Sequence, residues 1–268
     1  MTRCIAVVNQ KGGVGKTTTT VNVGAALAER GFKTLLVDID PQGNLSTHLG
    51  LSSSGDLLED EEPEVGPSIY EVLKGQKVIK EVILNHSSGL DVVPSSLFLS
   101  AADLELGGVV GRELILKRSL ENVRDNYDYI LLDCPPALGL LSLNALAASE
   151  SVIVPVQSEY LALHGVRQLL DTIDQVRSVY NAQLVVGGVL ICMHDNRKRL
   201  ARAVSDTIRN YFGDLVFDAV IRQNVALAEA PAQGQTIFQY APRSTGADDY
   251  LALVKEIIDG QEKPRICA

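Results

Sequence analysis

The stretch "CIAVVNQKGGVGKTTTTVNVGAALAERG", residues 4 to 31, runs from a short apolar segment through a glycine-rich turn into a long segment of helical period. The apolar segment, 4 to 9, has strand length. The segment after the turn carries an alanine-rich face and stops at Gly31, a suitable C-terminal glycine. A strand that feeds a helix through such a turn is the opening unit of a parallel sheet covered by helices. Gly12, Gly13 and Gly15 let backbone N–H groups turn inward where the helix N-terminus begins, which makes an anion cradle. The turn closes with Gly15, Lys16 and Thr17, the GK[ST] of a phosphate-binding loop, although Gln10 stands where the literal pattern has its first glycine. Lys16 is expected at the β- and γ-phosphates of a nucleotide and the Thr17 hydroxyl at Mg2+.

Further apolar runs at 33–39, 90–95, 127–133, 151–156, 184–193 and 215–221 alternate with stretches of helical period at 100–124, 160–180, 197–212 and 244–260. The alternation predicts an α/β fold: one P-loop NTPase domain over residues 1–268, with a mostly parallel twisted sheet and helices on both faces. Residues 52–66 break the rhythm with six carboxylates and no base between Asp56 and Glu64, and are expected to be an acidic surface loop. Residues 260–268 are expected to be a flexible tail.

A hydrophobic content of 46% against 21% charged residues is enough to bury a sizeable core and excludes disorder throughout. The net charge of -9 argues against a wholly basic nucleic-acid binder, yet it averages over the surface and leaves room for a local basic patch. No apolar run reaches the ~18 residues of a membrane span, and the opening residues lack the longer apolar region of a secretory signal. The expected location is the cytoplasm. Cys4, Cys134, Cys192 and Cys267 form no C-x-x-C and read as thiols of a reducing compartment rather than as a metal or cluster site. His48, His86, His164 and His194 are dispersed and read as ordinary core or surface histidines.

Two carboxylates, Asp38 and Asp40, close the strand of "LLVDIDPQGN" (35–44), at the edge where open α/β sheets bind ligands. Near a triphosphate and Mg2+ such a pair supports the hydration of the ion and orients a water for in-line attack. Asp133 ends the apolar strand of "YILLDCPP" (129–136), a Walker B arrangement that holds the Mg2+ shell, and Pro135 and Pro136 stop the strand. Lys11 is a second lysine at the entrance of a loop that already has its phosphate lysine. It is expected to project away from its own nucleotide and toward that of a partner across a dimer.

Together "KGGVGKTT" (11–18), "VDIDPQGN" (37–44), "YDYILLDCPPALGLLSLNAL" (127–146), "VPVQSEYLALHGV" (154–166) and "NVALAEAPAQGQTI" (224–237) resemble the deviant Walker A ATPases of the ParA/MinD family, over residues 3 to about 258. The resemblance is nearest to the chromosomal ParA, or Soj, branch. It implies an ATP- and Mg2+-dependent ATPase with Lys11, Gly12, Gly13, Val14, Gly15, Lys16, Thr17 and Thr18 around the nucleotide, and with Lys11 acting in trans in a face-to-face ATP-bound homodimer. It further implies that Asp40 positions the hydrolytic water and that Asp38 supports Mg2+ beside Thr17 and Asp133. Base recognition in the family uses a Pro-Arg-Asn-Val segment, here Arg222, Gln223, Asn224 and Val225; Asn224 retains the adenine contact, and the proline and arginine are replaced.

The cluster "HDNRKRLARAV" (194–204) offers Arg197, Lys198, Arg199 and Arg202, which a dimer could present to DNA phosphates without reading bases. In isolation such a run reads as a solvated helical face. Arg197 aligns with an arginine implicated in DNA binding in Soj-like proteins. A second family arginine is replaced by Ala226, so Arg209, Arg222 or Arg243 become further candidates. The resemblance also implies a ParB-like adaptor as partner and association with the nucleoid in the ATP state. A MinD-like role at a membrane is the alternative, but the C-terminal sequence mixes acids with bases and is interrupted by Gly260 and Pro264, which does not suit a stable interfacial anchor. A metabolic enzyme would need a second set of substrate residues, and an operator-binding role a helix-turn-helix ahead of the first strand; the sequence suggests neither.

Overall fold

The computed structural model describes residues 2–51, 66–158 and 162–260. The acidic stretch, apart from Gly66, and the tail, apart from Gly260, lie outside the described residues, as does Cys267. Among the described residues eight strands are formed: β1 Arg3–Val7, β2 Thr34–Asp38, β3 Leu84–Asn85, β4 Asp91–Val93, β5 Tyr129–Asp133, β6 Ser151–Gln157, β7 Val185–His194 and β8 Val216–Arg222. The helices are α1 Lys16–Glu29, α2 Asn44–His48, α3 Ile69–Leu73, α4 Ala102–Glu105, α5 Ile115–Glu121, α6 Leu140–Ala148, α7 Ala162–Val179, α8 Arg199–Phe212, α9 Val225–Glu229, α10 Ile237–Tyr240 and α11 Thr245–Asp259.

The strands make one sheet in the order β3-β4-β2-β5-β1-β6-β7-β8, parallel except for the β3–β4 pair. With β5 on one side of β1 and β6 on the other, the chain leaves the centre of the sheet in opposite directions at their shared C-terminal edge, the place where such folds bind ligands. Register then sets the site. Val7 of β1 lies beside Asp133 of β5, and Asp133 lies beside Asp38 of β2, so two carboxylates end adjacent strands next to the exit of the glycine loop.

Every residue of β2 and β5 is buried, which is why these segments read as continuous apolar runs rather than as alternating ones. Alternate positions serve two cores. Ala6, Leu35, Val37, Ile130 and Leu132 join the face that includes Leu146 and Leu169, whereas Ile5, Val7, Leu36 and Leu131 join the face that includes Leu27 and Leu253. Helix α1 approaches the sheet so closely that a Cβ on Gly24 would stand 2.6 Å from Leu36 Cδ2. The helix ends as anticipated, with Gly31 at φ 85°.

The seven expected strands are present, and β3, two exposed residues long, is too short to carry a pattern. The single helix expected over 100–124 is instead broken: a 3-10 turn Leu97–Ala101 runs into α4, and the chain resumes as α5 only after Gly107, Gly108 and Gly111, the last at φ 70°. Glycine flexibility outweighs the apolar period there. Helix α6 was not legible because all of its residues except Leu143 are buried, so it has no polar face to mark a period.

Candidate nucleotide-binding site

Gly13 and Gly15 adopt φ 72° and 92°, left-handed values that turn the loop before the first turn of α1. The entrance of the loop is tied to β6: Asn9 Nδ2 donates to the Pro155 carbonyl at 2.6 Å, and its Oδ1 accepts the Lys11 N–H at 3.0 Å. Val14 is buried, Thr18 is half-buried, and a Cβ on Gly12 or Gly13 would meet nothing within 4 Å, so the rim of the loop has room for a phosphate. Lys16 is only 7% exposed, and its Nζ donates to the Lys11 carbonyl at 3.3 Å. Burial lowers its pKa, while Asp133 and Asp40 act in the opposite direction.

Thr17 Oγ1 donates to Asp133 Oδ2 at 2.7 Å, and Thr20 Oγ1 lies 3.2 Å from Asp133 Oδ1. Asp38 accepts the Ser46 N–H and Oγ–H at 2.9 and 2.8 Å, and Asp40 is 6% exposed beside it in the chain. Burial, with Asp38 close by, pushes the Asp133 carboxyl up to about 8; burial also pushes Asp38 up to about 6 against the hydrogen bonds from Ser46. Three carboxylates thus gather near one buried ammonium, and a bound cation would relieve them. Among the described residues no group of three His, Cys, Asp or Glu side chains is arranged to hold a metal alone. Magnesium takes one or two carboxylates and completes its shell with water and substrate phosphate. Thr17, Asp133 and Asp38 carry hard oxygens that could hold such an ion.

These shifts have a consequence for the protein without nucleotide. Unfolded carboxylates release their protons near pH 4, whereas folded Asp38 and Asp133 hold theirs toward about 6 and about 8. Between those limits the folded state binds more protons, so this pair makes stability fall as pH rises from about 4 to about 8. The thermal midpoint, followed by circular dichroism from pH 5 to 8, is expected to show this decline, and Asp133→Asn is expected to flatten it.

Lys11 is exposed, and its Nζ lies 3.5 Å from Gln157 Oε1. Gln157 Nε2 donates to the Gly13 carbonyl at 2.9 Å and lies 2.8 Å from Met193 Sδ. Met193 holds φ 52°, left-handed for a residue with a side chain, a conformation often kept at functional sites. Asn9, Gln157 and Met193 were not singled out from sequence. Gln157 lay inside the 154–166 motif, and Met193 gave no local signal.

The segment expected to hold the base and the basic cluster share one cleft of about 420 Å³ at the C-terminal ends of β7 and β8, lined by His194, Asp195, Asn196, Arg197, Arg222 and Val225. Arg222 does not present an unengaged guanidinium: Nε and NH2 clasp Asp249 at 3.0 and 2.6 Å. Asn224 caps α9 by accepting the Ala226 N–H at 2.8 Å, and its Nδ2 donates to Thr245 Oγ1. Both residues of the expected base segment therefore have partners in the chain. Arg197 is 89% exposed on its side chain and clasps Asp195, whose carboxyl this hydrogen bonding holds down to about 2. Arg197 and Lys198 precede α8, Arg199 is its first residue, and Arg199 and Arg202 lie exposed opposite the buried Ala201, Val204 and Ile208. Arg209 faces Asp218 at 3.9 Å, and Arg243 is exposed. His194 is buried between Ser158 Oγ and Asn196 Oδ1, His48 is buried, and Cys4, Cys134 and Cys192 are buried free thiols, as the ordinary readings anticipated.

Comparison with known proteins bears on this geometry. A family described as an AAA domain matches residues 2–186. The sporulation initiation inhibitor protein Soj of Bacillus subtilis (strain 168) is 47% identical over 258 residues, 96% of this chain and 98% of that one. The chromosome-partitioning ATPase Soj of Treponema pallidum (strain Nichols) is 45% identical over 264 residues, 97% of this chain and 100% of that one. Among solved structures, cobyrinic acid a,c-diamide synthase from Mycobacterium smegmatis with bound ATP analog and magnesium superposes with a TM-score of 0.84 at 34% identity, covering 98% of this chain and 97% of that one.

Proposed function

The chain belongs to the AAA-domain family of the ParA/MinD-type ATPases, and from that premise we propose that it is a partition ATPase whose ATP-bound homodimer coats DNA without reading its sequence. The observation that carries this reading is the division of labour between two lysines on one loop: Lys16 is buried against the carboxylates, whereas Lys11 stands exposed on the rim. A single site needs the first. A shared site uses the second.

When bound with Mg2+, ATP supplies the anhydride whose hydrolysis drives the cycle. Lys16 and the N–H groups of the 12–18 turn hold phosphate charge. Thr17 and Asp133 hold the cation, with Asp38 beside them, and Asp40 orients the attacking water. Lys11 of each subunit closes over the nucleotide of the other. Asn224 and Arg222 border the base, and Arg222 does so from its clasp with Asp249. The paired subunits then present Arg197, Lys198, Arg199 and Arg202 together to phosphates, with Arg222 near them; contacts of this kind are nonspecific and salt-sensitive. A ParB-like adaptor accelerates hydrolysis and separates the dimer. The protein is cytoplasmic in this scheme and gathers on the nucleoid in the ATP state. In this scheme residues 1–268 act as one domain.

Among the described residues no observation favours a membrane or metabolic role over this one. Among the described residues no helix is long and apolar enough to cross a membrane. The diamide synthase likeness, at 34% identity, accounts for the fold and for nucleotide with magnesium, and the Soj proteins are nearer in sequence.

Lys11→Ala tests the shared site. By light scattering, the parent protein is expected to change from monomer in ADP-Mg2+ to dimer in ATP-Mg2+, and the variant to stay monomeric while still binding nucleotide. Dimerisation of the variant at the parental concentration would contradict the role given to Lys11.

A further inference from the structure

The loop that carries Asp38 and Asp40 is fastened from an unexpected direction. Ser95, just past the C-terminal end of β4, donates its hydroxyl to the Asp40 carbonyl at 2.6 Å. Its N–H donates to Ser46 Oγ at 3.0 Å, and Ser46 Oγ in turn donates to Asp38 Oδ2 at 2.8 Å. Ser95 therefore joins the end of β4 to the Asp38 carboxylate through Ser46 and to the Asp40 backbone carbonyl directly.

The fastening at Asp40 matters because of the residue that follows. The Asp40–Pro41 peptide has no N–H, so its carbonyl is the only polar group that can hold the plane of that peptide. Two donors do so: the Gly43 N–H at 2.9 Å, within the turn, and Ser95 Oγ, from outside it. The turn bond closes the loop on itself, and the Ile39 N–H ties the start of the loop to the Asp133 carbonyl at 3.1 Å. The Ser95 bond anchors it to the sheet. Side-chain rotamers depend on the backbone beneath them, so the tilt of this plane, together with the Gln42 N–H that Asp40 Oδ1 accepts at 3.0 Å, sets where the Asp40 carboxylate points.

We propose that Ser95 is a positioning residue for ATP hydrolysis, acting through the Asp40 carbonyl to aim the carboxylate that orients water. The inference rests on the reading of Asp40 given above. Ser95 is half-buried and belongs to neither apolar core, so its hydroxyl can be removed without opening one.

The test compares steady-state hydrolysis, binding of a fluorescent ATP analogue and thermal melting for the parent, Ser95→Ala, Ser95→Thr and Asp40→Ala. Ser95→Ala is expected to lower kcat roughly tenfold with KM changed by less than about twofold, because aim and not affinity is lost. Ser95→Thr, which keeps the hydroxyl, is expected to recover at least about half of the parental kcat. An unchanged kcat in Ser95→Ala, an equal loss in Ser95→Thr, or a parallel loss of nucleotide affinity would each overturn the positioning role. Hydrolysis by Asp40→Ala at the parental rate would instead overturn the role of Asp40 on which the inference stands.

Discussion

Lys16→Ala is expected to weaken nucleotide binding by at least about 100-fold, because charge-assisted hydrogen bonds contribute roughly 1.5–3 kcal/mol each and this lysine is expected to make two to phosphate oxygens. The side chain is 7% exposed, so water does not replace it readily. Its amine is kept near Asp133 and Asp40 at the cost of burial, which already lowers its pKa. A bound phosphate supplies the anionic partner that offsets that cost. Titration of a fluorescent ATP analogue, with a melting curve as control, reads the effect. Parental affinity in the variant would remove Lys16 from the phosphate site.

Asp40→Asn is expected to slow hydrolysis by about 100- to 10,000-fold, the range ascribed to a positioned general base, while ATP affinity stays close to parental. Asparagine is the informative replacement. Asp40 Oδ1 accepts the Gln42 N–H at 3.0 Å and so helps to close its turn, a bond that the amide oxygen of asparagine can keep. Asp40→Ala removes the turn bond together with the charge. If charge is what orients water, both variants are slow. If the turn bond alone matters, Asp40→Asn is fast and Asp40→Ala is slow, and the water-orienting role fails. Single-turnover hydrolysis of radiolabelled ATP measures the step without product release.

Features set by local chemistry were legible in the sequence. The left-handed torsions of Gly13 and Gly15, the start of α1 at Lys16 and the ends of β2 and β5 all follow from residues adjacent in the chain. That Asp38 and Asp133 stand side by side needed the sheet register, because 95 residues or so separate them and any parallel order was compatible with their being strand ends. The partners that reinterpret individual residues are also distant: Asp249 lies 27 positions from Arg222, Ser95 lies 55 from Asp40, and Gln157 lies 146 from Lys11. Nothing near Arg222 in the sequence shows that its guanidinium is already clasped. Similarly, no short-range pattern marks Met193 as left-handed, and the Gln157 side chain that its sulfur meets lies 36 positions away.

The proposed function requires a DNA-binding surface that forms only in the ATP state. The most direct measurement is fluorescence anisotropy of a random-sequence duplex titrated with the protein in ATP-Mg2+ and in ADP-Mg2+ over a salt series, with the double variant Arg197→Glu, Arg199→Glu alongside. The account predicts binding in ATP alone, a steep decline as salt rises, and no binding by the double variant despite normal ATP affinity. Equal binding in ATP and ADP, or none in ATP at low salt, would contradict it.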